Sequence, residues 1–166
     1  MSCLPIIVLL AFAVGCQTQQ PQPHLALFIA DREASDMFTR PIETGVEMHG
    51  TVYTTDTPFL SEAQVANVYW TVDAYARPAL GMHMTDEGAV LMRAATKGNQ
   101  QKFLVIELDD TLICAPFIQG TISQEAIISF SGEDALVLLD AFAVSMGGSP
   151  FIETVAGKAL RRPVIK

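Results

Sequence analysis

A chain of 166 residues, with 50% apolar and 17% charged side chains, has material for one globular domain and too much apolar surface for intrinsic disorder. Ten Lys and Arg against 18 Asp and Glu leave a formal charge of −8. An acidic body repels phosphate backbones, so no nucleic acid is expected as a partner.

Leu4 to Val14 is almost wholly apolar and uncharged. A membrane span needs about 20 apolar residues and a signal-peptide core about 7–15, so this stretch predicts a secretion signal. The run Ala13-Val14-Gly15-Cys16 resembles the lipobox of bacterial lipoproteins. That resemblance implies loss of residues 1–15 and lipid on Cys16 as the mature N-terminus, and Gln17 after the cysteine implies the outer membrane. Acyl chains contribute about 0.8 kcal/mol per buried methylene, so two or three of them hold firmly. Residues 16–24 are polar, uncharged and proline-bearing, the composition of a tether. Cys3 leaves with the signal and Cys16 is modified, which strands Cys114 without a disulfide partner. It follows the apolar pair Leu112-Ile113 with no basic residue nearby in sequence, and reads as a buried, inert thiol.

In chain order, Leu25 to Ala30 is an apolar run of strand length. Ala34 to Gly50, broken by Pro41 and Gly45, predicts a loop or a poorly defined strand pair. Thr51 to Thr55 is rich in β-formers, and Thr57 to Val65 predicts a turn leading into one helical turn capped by Ser61. Val68 to Tyr75 and Pro78 to Met84 predict adjacent strands. Thr85 is an N-cap followed by Asp86 and Glu87, and Ala89, Leu91, Met92 and Ala95 form a helical stripe closed by Gly98-Asn99. Phe103 to Leu108 predicts a strand buried on both faces, and Asp109-Asp110 a tight turn into Thr111 to Ala115. Ala126 to Phe130 is a further short strand, and Ser131-Gly132-Glu133-Asp134 opens a helix that ends before Gly147-Gly148. This order predicts an α+β fold, a mostly antiparallel sheet with two helices packed on one face, over residues 25–146. Residues 147–166, with Lys158, Arg161, Arg162 and Lys166, predict a solvated, frayed tail.

Catalysis needs a converging nucleophile, base and orienting group, or a metal set. His24, His49 and His83 are isolated, and the sequence holds no paired-histidine, Cys-x-x-Cys, Gly-x-Ser-x-Gly or phosphate-loop motif. The expectation is a non-enzyme without cofactors. Asp109-Asp110 at a hairpin tip reads as turn chemistry rather than as a carboxylate pair. An alternative comes from Met48-His49 and Met82-His83-Met84, soft thioethers beside imidazoles that suit copper in a periplasmic lipoprotein. On a strand, however, Met82 and Met84 share a face with Leu80 while His83 points the other way, which favours core methionines.

Several segments then fall into one family's order: Phe59 to Val65, Leu80 to Gly88 with its Thr-x-Glu-Gly helix start, Thr96, and Phe103 to Asp109. Ile113 to Ile118 with Pro116, Ile122-Ser123 and the helix around Asp134-Ala135-Leu136 complete the series. This set, over about residues 57–145, resembles the head of the first periplasmic domain of SecD, an accessory subunit of the Sec export machinery. Asp110 stands where the family usually has Gly, and Ser123-Gln124-Glu125 where it has Ser-Gly-Gly. No spanning run follows Cys16, so the resemblance implies a binding head without the membrane part that couples SecD to protons. It implies contact with exported polypeptide or Sec components, with an exposed groove or sheet edge holding an extended segment by main-chain hydrogen bonds. Asp109, Pro116, Gln119 and Ser123 are the polypeptide-contacting residues expected on that resemblance.

Overall fold

A computed structural model describes residues 23–44, 50–155 and 158–161. The predicted signal, Cys16 and the pair Met48-His49 lie outside the described residues. The larger sheet has the order β2 (Arg40–Glu43), β3 (Thr51–Thr54), β1 (Leu25–Asp31), β7 (Phe103–Leu108) and β8 (Thr111–Cys114), and the short β4 (Leu60–Ser61) also pairs with β1. All of its pairings are antiparallel. β1 and β7 lie side by side at its centre, which explains their unbroken apolar sequences. Leu25, Leu27, Ile29, Leu104, Ile106 and Leu108 face the main core, while Ala26, Phe28, Ala30, Phe103 and Val105 face a second apolar cluster with Val52.

The chain leaves this sheet at Ser61, where a capping box with Gln64 closes a single turn of helix over Glu62–Gln64. A second, three-stranded antiparallel sheet follows, in the order β5 (Val65–Val72), β6 (Pro78–Met84) and β9 (Glu125–Ser129). Its inner residues Val68, Leu80, Met82, Met84 and Ile128 join the main core. Helix α1 (Asp86–Thr96) adds Ala89 and Met92 to that core, and helix α2 (Glu133–Ser145) adds Leu139, Phe142 and Ala143. Neither helix supplies a residue to the second cluster, so both pack on one side, as predicted. Fully buried side chains of this kind each contribute about 1.5–3 kcal/mol. The fold is α+β and antiparallel as the sequence implies. Its strands divide between two main sheets because the turn at residues 61–64 redirects the chain.

The strands and helices fall close to their expected places, with three differences. Residues 40–43 form β2 within the segment predicted as a loop or weak strand pair. β5 ends at Val72, because Asp73 begins a turn in which its Oδ1 accepts from the backbone N–H of Tyr75 and Arg77. The start of the segment expected to fray, as far as Phe151, stays on the body. Trp70 Nε1 donates to the Ser149 carbonyl at 3.1 Å, and Phe151, buried, packs on Trp70 with ring centroids 4.8 Å apart. Beyond it, β10 (Ile152–Val155) and β11 (Lys158–Arg161) pair as an antiparallel hairpin.

Candidate functional site

β8 is one end strand of the larger sheet and β9 one end strand of the smaller one. A cleft of about 480 Å³ opens between them. Thr111 to Pro116 line one wall and Ile127, Ser129 and Phe130 the other, with Ser131, Asp134 and Ala135 contributed by the start of α2. Most of this lining is apolar, and Ile127 is 53% exposed. A contiguous, exposed apolar surface with a polar rim is the usual form of a protein-binding site.

The charged lining residues are Arg77 and Asp134. Arg77 is tied to Asp73, with a nitrogen-to-oxygen distance of 2.7 Å. The hydrogen bond from Arg77 holds the Asp73 carboxyl down to about 2, so the arginine is fixed at the rim with its charge matched. The exposed Tyr75 ring lies 5.2 Å from the Arg77 guanidinium carbon. A smaller cavity of about 340 Å³, lined by Gly132, Leu136 and Phe151 among others, shares Arg77, Phe130 and Ser131 with the cleft. Cys114 lines the cleft, but burial pushes its thiol up to about 12. It is protonated at neutral pH and therefore a poor nucleophile.

Of the four residues expected to contact polypeptide, Pro116 lines the cleft. Its carbonyl accepts from Leu104 N–H at 2.9 Å, which holds the chain beyond β8 against β7. Asp109 lies at the β7–β8 turn, outside the cleft lining, and is occupied by His24. Its Oδ1 accepts from His24 N–H at 2.8 Å, and its own N–H donates to the His24 carbonyl at 3.0 Å. Gln119 is exposed and Ser123 half-buried, both outside the lining residues. Their segment is fixed to α1 through Ile122 N–H, which donates to Thr96 Oγ1 at 2.9 Å. Arg77, Ile127, Phe130 and Ala135 were not expected from the sequence. No local signal marks them, because they meet only once β8 and β9 become the ends of two different sheets. The residues of the copper alternative do not converge: Met82 and Met84 are buried in the main core, and His83 points to the opposite face of β6. Among the described residues, no group of three His, Cys, Asp or Glu side chains is placed to hold a metal ion.

Among the described residues, no helix is long and apolar enough to cross a membrane. Residues 37–138 match the family described as SecDF, P1 head subdomain. The protein translocase subunit SecD of Sebaldella termitidis is 36% identical over 63 residues, a stretch of 38% of this chain and 16% of that protein. A solved structure of SecDF, described as a membrane component that enhances protein export, superimposes with a TM-score of 0.54 at 22% identity. It covers 77% of this chain and 64% of that one. SecDF in its super-membrane-facing form gives a TM-score of 0.55 at 22% identity, over 76% of this chain and 19% of that one. The structural likeness extends to the fold, and the family match spans more than half of the sequence: the chain belongs to the SecDF P1 head subdomain family.

Proposed function

We propose that this chain is a non-catalytic, lipid-anchored binding domain of the cell envelope that contacts polypeptide during protein export or envelope assembly. The observation that carries the reading is the cleft between β8 and β9: open, mainly apolar and walled by the ends of two sheets. Such a site takes an extended chain with little demand on its sequence, because main-chain groups supply affinity and shallow apolar pockets supply preference. Burial raises the pKa of its cysteine and its arginine is already paired, which suits contact better than catalysis. Relatives named for protein translocation and export agree with this reading. The lipobox-like run ending at Cys16, followed by a polar tether, is the basis for placing the domain on the periplasmic side of the outer membrane.

Two experiments test the two halves of the proposal. A photocrosslinking amino acid at Ile127 in the cleft is expected to capture exported precursor polypeptide in cells, and one at Val90, 62% exposed on the outer face of α1, is not. Equal capture from both positions, or none from Ile127, contradicts the cleft as the binding site. Metabolic labelling with palmitate is expected to mark the wild type and not Cys16→Ser, and an unlabelled wild type removes the anchor.

A further inference from the structure

The end strand of a sheet leaves a row of main-chain donors and acceptors open, and folded proteins guard such rows with proline, charge, bulges or a covering segment. Among the described residues, most ends of the two main sheets are guarded. β2 carries Pro41 between charged ends, Arg40 and Glu43, and β4 is two residues long. β8 shifts register opposite Ile106 and Glu107 and runs on into Pro116. The free side of β5 is covered by the chain leaving α2. Gly148 approaches so closely that a Cβ there would lie 3.3 Å from the Val68 carbonyl oxygen, and Trp70 is bonded to Ser149 beside it.

β9 has no such guard. Its register with β6 is unbroken from Glu125 to Ser129, and it contains no proline. Its one charged residue, Glu125, is drawn onto the Tyr69 hydroxyl. The phase of the ladder shows which groups are open. Met84 N–H donates to the Gln124 carbonyl at 2.8 Å, so in an antiparallel pair Ala126 and Ile128 also turn toward β6. Glu125, Ile127 and Ser129 then turn their N–H and C=O groups away from β6, and Ile127 and Ser129 line the cleft.

We propose that a guest segment joins the smaller sheet as a fourth strand beside β9, bonded to the main chain of Glu125, Ile127 and Ser129. The inference rests on the reading that the cleft holds polypeptide. The guest is a single extended segment of another protein, neutral or basic, with β-branched side chains at alternate positions. The opposite wall, residues 111–116, lines the same cleft, so a guest there meets protein on both sides, which suits a single extended segment better than the edge of a second folded copy. Charge points the same way: a second copy would bring −8 against −8, whereas Arg77 is matched by Asp73 and the exposed Asp134 leaves the cleft negative.

The test is a fluorescence-anisotropy titration of the folded protein with a short labelled peptide that alternates valine and threonine and ends in lysine. A second peptide is the same but N-methylated at alternate amides, so that it fills the cleft without completing a ladder. The first peptide is expected to bind, and the second to bind about tenfold or more weakly, the loss of one or two net hydrogen bonds. Ile127→Pro, which removes an outward N–H and leaves the β6 ladder intact, is expected to weaken the first peptide by a similar factor, and Ile127→Thr, which keeps that N–H, to weaken it less than Ile127→Pro does. Equal binding of both peptides overturns strand addition while the cleft reading stands, and binding of neither overturns both. A concentration-dependent dimer abolished by Ile127→Pro also overturns the proposal, because the guest would then be a second copy.

Discussion

Glu107 is the charged side chain most deeply buried among the described residues, 3% exposed on the second face of the larger sheet. Arg40 answers it at 3.1 Å, lays its guanidinium 4.4 Å from the Phe28 ring centre, and donates through Nε to Thr54 Oγ1. Removing Arg40 alone leaves a buried carboxylate without its cation. Arg40→Ala is therefore expected to destabilise the fold by about 3 kcal/mol in urea unfolding, and Arg40→Met with Glu107→Leu to recover most of that loss. Asp73 carries a different signature. Its folded carboxyl is depressed from 3.8 to about 2, chiefly by the Arg77 hydrogen bond. Its contribution is thus present above the unfolded value and lost as pH falls from about 4 toward about 2. Asp73→Asn should flatten the acid limb of the stability curve in that window and leave the neutral region free of any new pH dependence. Cys114, held protonated by burial, should resist iodoacetamide at neutral pH in the folded protein and react readily once it is unfolded. Rapid alkylation of the native state would contradict its environment.

Local rules explain why most elements were readable in advance. Thr85 caps α1 by accepting from Gly88 N–H at 3.0 Å, as the run Thr85-Asp86-Glu87-Gly88 implies. The β7–β8 hairpin turns at Asp109 and Asp110 with φ of 48° and 60°, a geometry that Asp tolerates better than most residues do. The apolar run of β7 announced burial on both faces. What the sequence could not show was relational. Gly88 is glycine because the Gln64 carbonyl oxygen lies against it, 2.3 Å from where a Cβ would stand, and no local pattern pairs those two segments. Gly88→Ala must push α1 away from the turn at residues 62–64, a backbone contact with little room to yield. A loss of about 1–3 kcal/mol in thermal or urea unfolding is expected, and an unchanged midpoint would show that the contact is loose. The cleft was hidden for the same reason. Pro116 marked an edge, but Ile127 looked like any strand residue until β9 proved to end a separate sheet. Likewise, the hold of Ser149 and Phe151 on Trp70 has no signature in a tail that reads as polar and basic.

At the scale of the molecule, two antiparallel sheets share one core with both helices on the same side, and the sheets' unequal ends leave a cleft between β8 and β9. The charge of −8 opposes contact between copies and, on the proposed reading, suits basic guests. The central claim is that this cleft is where polypeptide is held. Native-state hydrogen exchange, with and without a permanently unfolded, reduced and carboxymethylated protein, tests it most directly. The account predicts slower amide exchange confined to residues 111–116 and 125–131, the two walls of the cleft. Protection elsewhere on the domain, or none at saturating unfolded protein, would contradict it.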